Sequence, residues 1–282
     1  MNVKELNPTI SFIGAGKVAT ALGIYLKQKG FEVSGYASQN AASAERAAII
    51  TKSKAFANLS ELLENSNVIW ITTPDDKIEG VAKQIASTPI SNVNEKLIVH
   101  ASGVHTAKIL SSAREKGYQT AAAHPLLAFS NSEDAAQMLN EAWFAVEETS
   151  PIISIILHKC GNNKFNIEGN KKTLYHAAAC VLSNYMVTLM DASQQMLAHT
   201  GLSKEDATSA TMPLLESVVK NMQGKSSKDA LTGPIKRGDA TTVSMHISSL
   251  HEEMPEMVEL YKIMGKLTMQ MINDYKLKDI LD

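Results

Sequence analysis

Short apolar runs recur along the first 170 residues and then stop: TISFIG, FEVSGYA, VIWITT, KLIVHAS, QTAAAHP, WFAVEE and KFNIE. Between most of them lie segments of helical length, at 17–29, 41–50, 76–87, 106–116 and 150–159. This alternation predicts βα units and a mostly parallel sheet, because parallel strands need a crossover that a helix supplies. The runs are apolar throughout instead of alternating, as in strands covered on both faces. After GNKK (169–172) the texture changes. Residues 173–200, 203–223, 239–252 and 254–275 read as helices, punctuated by Gly201, Gly224 and the Gly233–Gly238 stretch. The expected fold class is α/β. A doubly wound, mostly parallel sheet over residues 1–169 is followed by an all-helical domain over 170–282, and the 282 residues are enough for two domains.

The first run leads straight into a glycine turn. ISFIGAGKVATAL (10–22) sets Gly14-Ala15-Gly16-Lys17-Val18-Ala19 between a strand and a helix, a G-x-G-x-x-A spacing. Gly14 permits the tight turn, Gly16 lets backbone approach a pyrophosphate, and Ala19 lets helix and strand pack closely. The phosphate charge then meets the N–H groups and positive end of the helix. In the first βα unit of a chain, this predicts a dinucleotide-binding (Rossmann) domain. An NAD site has an acidic residue about 20 positions further on. Here that place reads GYASQNAASAER: Ser38, Gln39 and Asn40 are neutral, Arg46 is basic, and no acid precedes Glu45. An acid repels a 2′-phosphate, whereas neutral and basic groups accept it. NADP is therefore expected over NAD.

In a doubly wound sheet the ligand lies beyond the carboxyl ends of the strands. Three such ends carry chemistry: Thr73-Pro74-Asp75, His100-Ala101-Ser102-Gly103, and His124-Pro125. Thr73–Asp75 and His100–Ala101 are expected to flank a nicotinamide. Histidine titrates near neutral pH, which makes His124 a candidate proton donor. The net charge of −2 gives no basic field for nucleic acid. The aliphatic runs are too short to span a bilayer. Cys160 and Cys180 have no metal or disulfide-framework spacing, so no metal is expected. MNVKELNPTISFIGAG lacks a signal-peptide pattern, and a cytoplasmic location is expected.

Together FIGAGKVA, ITTPDD, VHASG, AHPLLAF, YHAAACVLSNY and LTGPIKRGDATTVSMH resemble a bacterial family. That family joins a Rossmann-like domain to a domain of unknown function, DUF2520, and the resemblance covers nearly the whole chain. More distantly the sequence is similar to pyrroline-5-carboxylate reductases, ketopantoate reductases and β-hydroxyacid dehydrogenases. The resemblance implies an oxidoreductase that uses NADPH to reduce a C=O or C=N bond in a small carboxylic acid. It also implies a homodimer formed through the C-terminal helices. The alternative is a non-catalytic NADP-binding sensor or assembly protein. β-Hydroxyacid dehydrogenases hold substrate on a Ser-Gly turn after a strand, and Ser102-Gly103 matches that. They also place a catalytic Lys and an Asn four residues apart on the first long helix. Along 173–200 the corresponding stripe is His176, Cys180 and Asn184, with no Lys in it. His176 is therefore the first choice of proton donor and His124 the second, with Asn184 orienting the substrate oxygen. Lys171 and Lys172 are expected on a loop just upstream. In ALTGPIKRGDATTVSMH (230–246), Arg237 lies in a turn between helices, where a guanidinium pairs with a substrate carboxylate through two hydrogen bonds. Asp239 is expected to cap the following helix, and His246 is expected to be structural.

Overall fold

The computed structural model describes residues 7–148 and 151–282. They form two compact units, one ending at Ser183 and the other comprising Asn184–Asp282.

The first unit has strands β1 (Ile10–Ile13), β2 (Val33–Ala37), β3 (Lys54–Ala55), β4 (Val68–Ile71), β5 (Leu97–His100), β6 (Gln119–Pro125), β7 (Trp143–Glu148) and β8 (Asn163–Asn166). Its helices are α1 (Lys17–Gln28), α2 (Ala41–Thr51), α3 (Leu59–Glu64), α4 (Ile78–Ser87), α5 (Ser111–Glu115), α6 (Ser132–Met138), α7 (Ile152–Cys160) and α8 (Lys172–Leu182). The strands form one sheet in the order β3-β2-β1-β4-β5-β6-β7-β8. The order reverses between β1 and β4, the switch point where an open α/β sheet leaves a crevice. All pairings are parallel except β6 with β7, which runs antiparallel; β8 then pairs parallel with β7.

The apolar strand composition has a direct cause. Alternate residues of one strand enter different cores. Val68 and Trp70 face a core shared with Leu22, Ala47, Ala136 and Ile156 of α1, α2, α6 and α7. Ile69 and Ile71 face a second core with Leu62, Ile85 and Ala113 of α3, α4 and α5. Each fully buried aliphatic side chain contributes roughly 1.5–3 kcal/mol of transfer free energy.

The second unit is helical: α9 (Asn184–His199), α10 (Lys204–Met222), α11 (Ser227–Ala230), α12 (Pro234–Arg237), α13 (Ala240–Glu253), α14 (Val258–Ile272) and α15 (Lys278–Leu281). Its small core gathers Val243, Ile247, Met269, Leu277 and Leu281. Asp239 caps α13, its carboxylate accepting from Thr242 N at 3.0 Å. No helix among the described residues is long and apolar enough to cross a membrane.

One expectation changes here. The helix read over 173–200 is two helices, interrupted at Ser183. The compact units divide at that interruption, and contacts from Lys172 and Tyr175 tie α8 to the strand ends of the first unit.

Candidate active site

β1 lies beside β4, so the turn after β1 passes close to the end of its neighbour. Gly14 has φ +101°, and a Cβ there would stand 2.8 Å from the Thr72 carbonyl and 2.9 Å from Thr73 N. Only glycine fits that crossing. Thr72 Oγ1 fastens it by donating to Gly14 O at 3.1 Å. Gly16 is the N-cap of α1 and has no side chain to cap it, so among the described residues no side-chain cap hydrogen bond closes this helix start. A Cβ built on Gly16 meets nothing within 4 Å. The helix thus directs unsatisfied donors and its positive end into open space, with no acid in the first turn. Ala19 is fully buried, Ala15 and Val18 are partly so, and Lys17 is exposed.

From there a cleft of about 150 Å³ runs along the strand ends. One side is Val18, Thr72, Thr73 and Asp75; the other includes Ala101, Ser102 and His124. Pro74 is extended, and Asp75 begins a 3-10 turn over Asp75–Lys77. Thr73 Oγ1 is buried with no hydrogen-bond partner among the described residues. A buried hydroxyl without a partner is costly. With the uncapped helix and the room above Gly16, these strand ends offer the donors that a nicotinamide dinucleotide would use, the cleft itself having room for no more than its nicotinamide end.

The loop after β5 is built around His100. That ring is fully buried. Its Nδ1 accepts from Ser102 N and its Nε2 donates to Thr106 O, each at 3.2 Å. Burial first, then the Lys172 charge, pushes its pKa down to about 3, so the ring is neutral. Both ring nitrogens are thus engaged in holding the loop. Ser102 Oγ accepts from Val104 N at 3.2 Å and His105 N at 3.1 Å, leaving its own proton to donate.

The sequence reading missed Lys172. It is not on a loop; it opens α8 directly after a 3-10 turn at Gly169–Lys171. Its side chain is wholly buried, and Nζ donates to Ser102 O at 3.2 Å. Burial pushes the ammonium down to about 8, against the pull of Glu147 and Asp75. His176 follows four residues later, the spacing of the Lys and Asn of β-hydroxyacid dehydrogenases. Counting that spacing one turn earlier along the helix would have found it.

His124 ends β6 against α8. Its Nδ1 lies 2.6 Å from the Tyr175 hydroxyl, and its ring stands 6.0 Å from that of His176, edge to face. Burial first, then His176 and Lys172, lowers its pKa to about 4. The ring is therefore neutral at pH 7. Gly103 lets the two rings close in: a Cβ there would lie 2.5 Å from His176 Cδ2 and 3.0 Å from His124 Nε2. His176 Nδ1 contacts Cys180 Sγ at 3.7 Å.

A Rossmann-like family profile matches residues 2–125, and that of DUF2520, a domain of unknown function, matches 141–268. The chain joins a Rossmann-like domain to a DUF2520 domain. No curated protein matches the sequence. Among solved structures, a Bacteroides fragilis protein provisionally named an NADP oxidoreductase superposes with TM-score 0.75 at 20% identity, over 94% of this chain and 98% of that one. The Thermotoga maritima protein TM1727 gives 0.73 at 25% identity, over 94% and 98%. A pyrroline-5-carboxylate reductase from Coxiella burnetii gives 0.63 at 16%, over 95% and 97%. The likeness is one of fold.

The DUF2520 match begins inside the sheet unit and takes in β7, β8 and α8. The glycine turn, Thr73, Ser102 and His124 thus come from the Rossmann-like match, and Lys172, Tyr175 and His176 from DUF2520. Other expected residues belong to other elements. Ser38, Gln39 and Asn40 follow β2, and Arg46 is exposed on α2, its guanidinium donating to Ser43 Oγ at 2.9 Å. Asn184 opens α9, so the stripe expected to run from His176 through Asn184 stops at the interruption after Leu182. Arg237 is exposed in the second unit, 3.8 Å from the Asp239 carboxylate. His246 Nδ1 is held by the Tyr261 hydroxyl at 2.8 Å.

Proposed function

We propose that this chain is an NADPH-dependent oxidoreductase that reduces a C=O or C=N bond of a small carboxylic acid. One observation supports the reading: a single cleft brings Val18, in the first turn of the helix that the glycine turn opens, and Thr73 together with Ser102 and His124, with buried Lys172 behind Ser102. The names of the structural relatives are consistent with it.

Gly14–Ala19 would hold the pyrophosphate on the α1 N-terminus. Ser38–Asn40 and Arg46 would receive a 2′-phosphate, and Thr73–Asp75 with Ala101 would line the nicotinamide side. When bound, the cofactor supplies the hydride, and the protein supplies position and charge. Lys172 holds a proton at neutral pH, and its lowered pKa eases transfer to a developing oxyanion or amine. It takes the place proposed from sequence for His176. The Ser102 hydroxyl and neutral His124 orient the reacting atom by hydrogen bonds. The exposed guanidinium of Arg237 is the proposed partner of the substrate carboxylate. Leu214, Val219 and Leu267, each more than half exposed, are the apolar surface proposed for a homodimer seam.

The alternative is a non-catalytic NADP-binding sensor, in which a buried Lys172 would have no chemical role. The test is to offer the purified protein NADPH with panels of 2-oxo acids and cyclic imines and to follow nicotinamide absorbance. Substrate-dependent loss with one panel, abolished by Lys172→Met, is expected. NADPH binding without turnover on either panel favours the sensor.

A further inference from the structure

We infer that Tyr175 is a positioning residue that fixes His124 as its Nε2–H tautomer, making His124 a hydrogen-bond donor to the substrate's acceptor atom and not an acid. The tautomer follows from the hydrogen-bond geometry and the relative acidity of the two groups. The role toward substrate rests on the reading above.

Tyr175 is on α8 and His124 at the end of β6. Their 2.6 Å contact joins segments 51 residues apart in sequence. The phenol ring is held edge-on between Phe165 of β8, at 5.7 Å, and His124 itself, at 5.5 Å. It cannot turn away without disturbing both. The shared proton has two possible owners. A phenol is the stronger acid and an imidazole nitrogen the stronger base, so the tyrosine donates and Nδ1 accepts. The reverse would leave the Tyr175 proton with no acceptor, since its hydroxyl makes no other hydrogen bond among the described residues. The hydrogen bond at one ring nitrogen sets the state of the other. The remaining proton of the neutral ring is therefore on Nε2, which borders Gly103 and makes no hydrogen bond among the described residues.

The titratable groups around His124 are Lys172, Tyr175 and His176 of α8 and His100 of β5. Asp75 shares the cleft with the ring, but no carboxylate is hydrogen-bonded to it among the described residues, and the charges that act on it most, those of His176 and Lys172, oppose a second proton. A neutral ring locked with N–H toward the cleft can donate to a carbonyl oxygen or an imine nitrogen. A relay through Nδ1 would leave Tyr175 as a phenolate, which burial disfavours by raising that hydroxyl to about 12.

The experiment is a long-range proton–nitrogen NMR correlation on protein carrying isotope-labelled histidine, with His124 assigned by its loss in His124→Gln. Wild type is expected to show His124 protonated on Nε2 and bare on Nδ1. Tyr175→Phe is expected to mix the tautomers, to leave NADPH affinity unchanged, and to lower kcat about tenfold with little change in KM. A wild-type Nδ1–H tautomer, or a Tyr175→Phe spectrum identical to wild type, overturns the inference. The wild-type spectrum decides even if the variant fails to fold. It needs no turnover, so it is independent of whether the oxidoreductase reading holds.

Discussion

Lys172 Nζ reaches the carbonyl oxygen of Ser102 across 3.2 Å and ties the first turn of α8 to the turn that follows β5. A wholly buried lysine is rare, and one bonded to a neutral carbonyl keeps its charge only at a cost. That cost is what brings its pKa to about 8. Replacing it with methionine keeps the bulk and removes the proton. Lys172→Met is expected to lower kcat by about 10²–10⁴-fold while NADPH affinity, read by nicotinamide fluorescence, changes little.

The same group sets a pH limb. The ammonium is the donating form, and it is lost as pH rises through about 8. The kcat for reduction should therefore decline above that pH. A profile flat to about pH 10, near the ordinary lysine value, would remove Lys172 as the donor.

The two glycines of the turn separate folding from binding. Gly14→Ala drives a Cβ into the Thr72 carbonyl at a left-handed φ and should cost about 1–3 kcal/mol in denaturant unfolding. Gly16→Val enters open space and should cost no more than about 1 kcal/mol as a poorer cap. It should nevertheless abolish NADPH binding, because its side chain fills the room left for a phosphate. Normal NADPH affinity in Gly16→Val would put the phosphate elsewhere.

Much of this fold was legible in the sequence. Strands buried on both faces must be apolar at every position, so VIWI and KLIV announced themselves, and the glycine turn placed the switch point. The direction of β7 was not legible, because WFAVEE has the same composition whichever way it runs. β3 is only Lys54–Ala55, too short for any pattern. The interruption at Ser183 carries neither glycine nor proline. The site was half legible. His100 and His124 both end strands and look alike in sequence, and only the loop decides that the first spends both nitrogens on its own backbone. Lys172 follows Gly-Asn-Lys and reads as a solvated turn; only tertiary packing buries it.

Those histidines predict an acid limit. Folded, His124 stays neutral down to about 4 and His100 to about 3, whereas unfolded rings take protons from about 6.5. Below that pH the unfolded state binds more protons, so stability falls as pH falls from about 6.5 toward 4. Denaturant midpoints at a series of pH values should show this slope, and His124→Gln should make it shallower. An unchanged slope would mean that His124 charges freely in the folded protein.

The rings crowd Gly103 as well. Gly103→Ala places a methyl 2.5 Å from His176 Cδ2 and forces His176 or His124 aside. Turnover should drop by about tenfold or more, since small misplacements at a reacting centre are expensive. NADPH binding on the far side of the cleft should persist. Loss of both would mean that the loop after β5 supports the cofactor directly.

Each of the turnover and binding outcomes requires NADPH on the glycine turn. Titrating the purified protein with NADPH and, separately, NADH while following nicotinamide fluorescence tests it most directly. Saturable binding of NADPH, tighter than that of NADH, is the predicted result. Failure of both nucleotides to bind would contradict the account and leave the glycine turn as no more than a tight passage between β1 and α1.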